Sequence, residues 1–279
     1  MTPEKEVKQL ARKHGASLVG IASVAEINKY APPGHRPDDI LVDARSVIVF
    51  GGIHSLHGSF RSPDHRTHYR NRDFPRTSSG LAMALAKFIE SNYGYYSVAA
   101  IPPSAGLNPS LSMKLCAEIA GLGTRSMAAG TILNSEVGLP NFGICLTTMP
   151  LAADSRMEED VCPHISCVRR WEKEGTTPCL EVCPECLSGE LERGRIKWMR
   201  YDRRICSTRA QTEGCSPLLR TMLDGINEPD PEVRKTILLG SFYRRVMDAN
   251  AIGAIFGQCG ECLRNCPICV QSRTLKTKN

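Results

Sequence analysis

The stretch that most constrains this chain lies near its C-terminus, where three cysteines are spaced three and four residues apart. These are Cys259, Cys262 and Cys266, and Pro267 follows the last of them. In bacterial ferredoxins, a run with this ending wraps thiolates around an iron–sulfur cube, and its last cysteine ligates a neighbouring cluster. The stretch therefore predicts a [4Fe-4S] centre and, through Cys266, a second one.

A second Cys-Pro pair, Cys183-Pro184, has Cys179 four residues upstream, so the chain carries both halves of a two-cluster pattern. Each cube needs four soft thiolates that converge from a compact shell. With the ferredoxin crossover, the pattern predicts two ligand sets. Set A comprises Cys162, Cys167, Cys179 and Cys266. Set B comprises Cys183, Cys206, Cys259 and Cys262.

Set A departs from a standard ferredoxin run, which would place its first two cysteines where this chain has Lys173 and Thr176. The chain must therefore fold back to bring Cys162 and Cys167 to the set A cluster as ligands. Three further cysteines could each replace a member of either set: Cys186, Cys215 and Cys269. A zinc site built from four cysteines is the alternative to a cube, and a three-iron centre or an open site is the alternative for set A.

The distribution of cysteines favours two domains in a chain of 279 residues, because eleven of the thirteen lie from Cys162 onward. We place the boundary near residue 155, which gives domains 1–155 and 156–279. An odd cysteine total with CxxC spacing disfavours a disulfide framework. The two early cysteines, Cys116 and Cys145, lie in apolar segments and are predicted to be small buried residues.

The N-terminal residues lack the order of a signal peptide, and no apolar run approaches the roughly 18 residues that span a membrane. We therefore expect a soluble, cytoplasmic protein with no membrane partner. The formal charge of +6 comes from scattered bases in a chain with few aromatic residues. That pattern favours a solvated basic surface over a nucleic-acid interface.

Along the first domain, helices and strands alternate without a strict βαβ rhythm, which predicts an α+β fold. Neither GxGxxG nor GxxxxGK[ST] occurs, so nucleotide binding by those loops is disfavoured. Between His54 and Arg76 the apolar pattern disappears and an irregular connection is expected. Apolar spacing predicts helices that begin near Thr2, Leu81, Met113 and Pro231, and β-branched or apolar runs predict strands at 17–22, 44–52, 96–101 and 143–151.

Several separate stretches resemble the epoxyqueuosine reductase and reductive dehalogenase superfamily, in the order that this family has them. They are Ala11–Ala22, Ala44–Gly51, Arg72-Asp73-Phe74, Ala120-Gly121-Leu122-Gly123, Thr147–Leu151 and Tyr201–Cys206. The resemblance implies a corrinoid-binding, nitroreductase-like N-terminal domain joined to a ferredoxin-like domain with inserted helices and two [4Fe-4S] clusters. It also implies that Cys206 is the cluster ligand that lies outside the Cys-Pro runs.

The chain departs from that family in four ways. Where epoxyqueuosine reductases place an acidic proton donor, it has Leu107-Asn108-Pro109-Ser110, and their Asp-Tyr-His stands here as Asp73-Phe74-Pro75. We also expect it to lack their C-terminal tRNA-gripping repeats and the twin-arginine signal of exported dehalogenases. The chain is thus expected to be a divergent, truncated, cytoplasmic member whose substrate is neither epoxyqueuosine in tRNA nor a respiratory organohalide.

Under the resemblance, the chain is an iron–sulfur oxidoreductase that passes single electrons to a cobalamin-type cofactor for a reductive cleavage of a small molecule. A low-potential protein such as ferredoxin or flavodoxin would supply the electrons. The alternatives are a partner that reduces a corrinoid or a corrinoid protein without an organic substrate, and a domain that binds flavin or nothing. The candidate corrinoid contacts are Asn108, Ser110, Ala120, Gly121, Gly123, Gly143 and Thr147, for which helix termination and ordinary core packing are the alternative roles.

Overall fold

The computed structural model describes residues 1–52, 74–100, 110–213, 218–244, 246 and 259–271. Within these ranges, no helix combines the length and apolarity needed to cross a bilayer. The elements up to residue 147 form the first group. They are α1 (Pro3–Lys13), β1 (Leu18–Ser23), α2 (Val24–Asn28), β2 (Ser46–Gly52), α3 (Phe74–Tyr93), β3 (Ser97–Ala100), α4 (Met113–Ile119), β4 (Thr124–Arg125), β5 (Ile132–Leu133) and β6 (Asn141–Thr147).

A four-stranded sheet in the order β1-β2-β6-β3 organises this group, and every neighbouring pair of strands is antiparallel. Strand β2 is buried along its whole length, as expected for a β-branched run that is covered on both faces. Its residues alternate between the faces: Val47 and Val49 pack with helix α4, whereas Ile48 and Phe50 pack with helices α1 and α3. The predicted mixture of helices and strands is confirmed.

The later elements hold most of the cysteines. They are α5 (Ile165–Glu174), α6 (Pro178–Val182), β7 (Leu187–Glu192), β8 (Arg195–Tyr201), α7 (Arg203–Glu213), α8 (Leu218–Asn227), α9 (Pro231–Thr236, which continues as a π-helix over Ile237–Phe242), α10 (Glu261–Arg264) and α11 (Pro267–Gln271). A third core gathers buried cysteines from these elements around Met127, Ala128 and Leu133 of the β4–β5 hairpin. The hairpin therefore joins the sheet region to the cysteine region.

Three expectations differ from the structure. Helix α3 begins at Phe74, so the last residues of the expected irregular connection are helical, while residues 53–73 lie outside the described ranges. The strand expected over 143–151 occupies Asn141–Thr147, because the chain turns at Thr148 towards Pro150, which has no N–H to donate. The β7–β8 hairpin was not predicted, because charged residues interrupt its apolar positions.

Candidate metal centre

The structure brings the four cysteines of set A to one cavity. Cys162 lies in the segment before α5, Cys167 in its first turn, Cys179 in α6 and Cys266 directly before α11. All four line the same space, and each is less than one-tenth exposed. Cys162 and Cys167 thus lie beside Cys179 and Cys266, as the predicted set A requires.

The surroundings of set A are apolar, with Met127, Ala128 and Ile268 in the cavity wall. Burial raises the pKa of Cys162 to about 12, and the neighbouring cysteines add to the shift. The Thr177 hydroxyl lies 3.3 Å from the Cys179 sulfur. Such thiols lose their protons when a metal takes the proton's place, so this environment disfavours free thiolates and suits thiolates bound to iron.

Cys266 differs from the rest of set A. A hydrogen bond with the Cys269 thiol, supported by backbone N–H groups, lowers the pKa of Cys266 below its ordinary value. Cys269 is fully buried beside it in α11. Cys266 is therefore the member of set A that ionises most readily, and Cys269 stands close enough to support it or to replace it.

Set B also comes together. The Cys262 thiol is within electrostatic range of Cys183, Cys206 and Cys259, and burial combines with these neighbours to raise its pKa. Cys183 and Cys262 are buried, whereas Cys206 and Cys259 are partly exposed. Set B is therefore nearer to solvent than set A.

Two further side chains accompany set B. Cys186 is hydrogen-bonded to Cys183 and lies near Cys206, so it is a fifth thiol at this group. One guanidinium nitrogen of Arg209 lies 3.7 Å from the Cys183 sulfur and donates to the Val182 carbonyl at 3.2 Å. A cation at this distance favours a thiolate over a thiol. Cys215 lies outside the described residues.

The two sets adjoin each other. Helix α6 carries Cys179 of set A and leads directly into Cys183 of set B. Helix α10 contains Cys262 of set B and is followed by Cys266 of set A. The two helices pack together, and Cys179 and Cys262 are in electrostatic range. Each of these two short helices therefore holds a cysteine of one set and is followed by a cysteine of the other.

The cysteines of each set lie near one another but do not converge on a single point. Among the described residues, no three His, Cys, Asp or Glu side chains converge closely enough to hold a single metal ion. Zinc requires four ligands at about 2.3 Å from one centre. Both donor sets consist of thiols alone, a composition that suits an iron–sulfur cluster and a four-cysteine zinc site alike.

The predicted corrinoid contacts at the end of α4 pack against the chain itself. Ala120 is buried, and Gly121 has a φ of +70°. A Cβ at Gly121 would lie 2.1 Å from the Ser155 carbonyl oxygen, and one at Gly123 would lie 2.3 Å from the Leu133 carbonyl oxygen. These glycines admit backbone from two other segments of the chain, so they do not form an open cradle for a macrocycle.

The remaining predicted contacts are dispersed. Gly143 is buried in the middle of β6, opposite Phe50. Thr147 is fully buried, and its hydroxyl donates to the Tyr96 carbonyl at 3.0 Å. Ser110 is exposed, and Asn108 lies outside the described residues. The geometry favours core roles for Gly143 and Thr147, and a corrinoid contact at any of these positions stays a prediction.

Cys116 and Cys145 are fully buried in the two faces of the sheet, which confirms the prediction for them. Three residues beside the thiols were not predicted: Lys114, Thr177 and Tyr201. Thr177 and Tyr201 each stand near a predicted ligand in sequence, which was the available signal. For Lys114 the sequence offers none, because a lysine in an amphipathic helix is ordinarily solvated.

No family model and no curated protein sequence matches the chain. Solved structures do match. Epoxyqueuosine reductase from Bacillus subtilis is 17% identical, with a TM-score of 0.55 over 95% of this chain and 65% of its own. The chain has the fold of the epoxyqueuosine reductase and reductive dehalogenase superfamily. A catabolic reductive dehalogenase, solved in complex with 3-bromo-4-hydroxybenzoic acid, is 18% identical, with a TM-score of 0.55 over 96% of this chain and 37% of its own.

A further reductive dehalogenase, whose structure concerns B12-dependent dehalogenation, is 20% identical, with a TM-score of 0.53 over 96% of this chain and 37% of its own. This chain therefore spans less than two thirds of the B. subtilis reductase and well under half of either dehalogenase. At these identities the relationship is distant. The comparison shows a shared fold, and this is the fold that the suspected superfamily predicts.

Proposed function

We propose that the chain is an iron–sulfur oxidoreductase that carries single electrons through two [4Fe-4S] clusters, held by sets A and B, to an acceptor in its N-terminal domain, residues 1–155. The observation that carries the proposal is the convergence of the eight predicted ligands into two adjoining all-thiol groups. The clusters, when bound, would supply one-electron transfer. The protein's own part is to hold the ligands, exclude water and set the electrostatics.

The different exposure of the two sets suggests the direction of electron transfer, from set B to set A. Set B includes the partly exposed Cys206 and Cys259, so it faces an external donor. Arg203 and Arg204, at the start of helix α7, are exposed close to Cys206 and offer positive charge to an acidic protein such as ferredoxin or flavodoxin. Set A is buried against Met127 and Ala128 and faces the sheet region.

A cobalamin-type cofactor is the proposed acceptor, and a reductive reaction on a small molecule is the proposed outcome. Support comes from the shared fold, since one structure with that fold concerns B12-dependent dehalogenation. Most of the residues predicted to cradle the macrocycle instead fill the protein's own core. We therefore assign no residue a catalytic role in that reaction.

A second function is favoured by one feature of the sequence. The segment Leu107-Asn108-Pro109-Ser110 offers no carboxylate where epoxyqueuosine reductases place their proton donor. Neither an amide nor a hydroxyl side chain acts as an acid at neutral pH. The alternative is a protein that reduces a corrinoid or a corrinoid protein and has no organic substrate of its own.

Iron and sulfide analysis after anaerobic purification tests the clusters. We expect about eight irons per chain for two cubes. Cys162→Ala and Cys262→Ala should each lower the content to about four irons, because each removes a ligand from one set. Cys116→Ala is the matched control, since that cysteine is equally buried but far from both sets, and it should change nothing. Zinc without sulfide, or equal losses in all three variants, would contradict the ligand sets.

Titration with hydroxocobalamin, followed by visible spectroscopy, tests the acceptor. A saturable spectral change in the protein with both clusters is expected for a bound corrinoid. Repeated reduction of added cobalamin to Co(I), with reduced ferredoxin as the electron donor and no organic substrate present, would favour the second function. If a protein that contains both clusters leaves the cobalamin spectrum unchanged, both proposed functions lose their corrinoid.

A further inference from the structure

Lys114 is a cation set among the thiols rather than in solvent. It lies in the first turn of α4, and its ammonium group donates to the Ala129 carbonyl at 2.9 Å. The same group lies 5.6 Å from the centre of the Tyr201 ring. No carboxylate of the described residues forms an ion pair with it. Lys114 thus reaches from the sheet region to strand β8 of the cysteine region.

Set B lies on the far side of this contact. The Tyr201 hydroxyl and the Cys206 sulfur are hydrogen-bonded, and Cys206 and Cys262 both interact electrostatically with the lysine. Burial lowers the pKa of Lys114 to about 8, and the nearby Arg125 contributes in the same direction. The ammonium form still predominates at neutral pH. The ammonium group, held at the Ala129 carbonyl and beside the Tyr201 ring, therefore lies within electrostatic range of two of the four set B sulfurs.

A partly buried ammonium without a carboxylate is unfavourable unless another negative group compensates it. Four thiolates around an iron–sulfur cube supply negative charge at the place that Lys114 faces. Reduction adds one electron to that cube, with no bond formed or broken, and so increases the attraction. Net charge and hydrogen bonds at the sulfurs are the means by which a protein sets a cluster's potential.

We infer that Lys114 is a positioning residue that raises the reduction potential of the set B cluster by placing a fixed positive charge beside Cys206 and Cys262. The inference rests on the proposed function, because it needs a cluster at set B. It assigns the sheet region a second role: besides holding an acceptor, it contributes a charge that helps the outer cluster take an electron from the donor.

The test is a potentiometric titration with dithionite and mediators, followed by EPR, on Lys114→Gln and Lys114→Met. Gln removes the charge and keeps an N–H donor, one bond shorter in reach than that of lysine. In both variants we expect the set B reduction equilibrium to fall about tenfold, a shift of about 59 mV for one electron, with set A unchanged. Lys114→Arg should restore the wild-type value. Cys162→Ala, which keeps the set B ligands, assigns the signals.

Lys197→Met is the matched control. Lys197 lies on β8 near the same region, but its side chain is exposed and paired with Glu190 and Glu192, so its removal should shift neither potential. If both clusters are present and Lys114→Gln titrates as wild type, the inference is wrong and the proposed function stands. If Lys114→Met loses iron, the set B potential of Lys114→Gln decides whether the inference holds. A wild-type protein without iron would overturn both.

Discussion

Replacing Gly121 by alanine separates two explanations of the small residues at the end of α4. Gly121 has a φ of +70°, and an added Cβ would lie 2.1 Å from the Ser155 carbonyl oxygen. If the glycine exists to let this segment of the chain pass, the substitution destabilises the protein in the absence of any cofactor. If it exists to admit a corrinoid, the loss appears in cofactor binding instead.

The structure supplies a control of almost identical backbone geometry. Gly94 ends helix α3 with a φ of +71°, and nothing lies within 4 Å of its would-be Cβ. Gly94→Ala therefore costs only the left-handed penalty of about 1–2 kcal/mol. Gly121→Ala carries the same penalty and must also displace Ser155.

The displaced segment is anchored at Asp154. Its carboxylate accepts from the Ile21 N–H at 2.7 Å and from the Lys8 ammonium at 2.6 Å, and its own N–H donates to the Ile21 carbonyl at 2.8 Å. Disturbing these bonds costs about 1–3 kcal/mol. The difference between the two variants is therefore about 1–3 kcal/mol, or about 2–12 °C in melting temperature at 2–4 °C per kcal/mol.

Thermal melts of both variants, with and without added cobalamin, measure this difference. Equal melting temperatures for Gly94→Ala and Gly121→Ala would refute the packing argument. A Gly121→Ala protein that melts like the wild type but binds cobalamin more weakly would show instead that the glycine makes room for the cofactor.

Further predictions concern the sheet and its ends. Thr147→Val should lower the free energy of unfolding by about 1–3 kcal/mol in urea titrations, because the buried Met149 N–H loses its acceptor and the Tyr96 carbonyl loses one of its donors; an unchanged midpoint would contradict it. Asp154→Asn should cost about 1–2 kcal/mol in the same assay, through weaker bonds to Lys8 and Ile21. Burial raises the pKa of Cys116 from 9.0 to about 12, so its contribution to stability is complete below pH 9 and is lost as the pH rises towards 12. In urea titrations at about pH 10.5, Cys116 should account for a loss of about 2 kcal/mol in the free energy of unfolding relative to neutral pH, and Cys116→Ala should lack this loss.

The sequence predicted a central strand of the fold and which cysteines lie close together. The run Ala44–Gly52 was expected to be a strand covered on both faces, and β2 is buried throughout. The ferredoxin crossover assigned Cys266 to the distant Cys162 rather than to its neighbour Cys262, and the structure places Cys266 in the set A cavity. Spacing along the chain was enough to predict the buried strand and to group Cys266 with Cys162, while the ligand role of Cys266 stays a prediction.

Other features could not be predicted because the sequence does not show which groups pack against a given residue. A glycine admits a ligand and a second backbone segment equally well, so Gly121 and Gly123 gave no indication that Ser155 and Leu133 approach them. Lys114 has the spacing of an ordinary solvated residue, and its position beside Tyr201 arises only when β8 packs on α4. Both depend on contacts between residues far apart in the chain.

The helix shared by the two sets has a consequence for the speed of electron transfer. Cys179 lies in α6 and Cys183 follows its last residue, so a rise of roughly one helical turn, about 5–6 Å, separates them. In the proposed function, this short helix would limit the distance between the two clusters. Movements of the sheet region would lengthen or shorten the later hop to the acceptor and leave the earlier one untouched. Any gating of turnover by substrate is accordingly expected beyond set A.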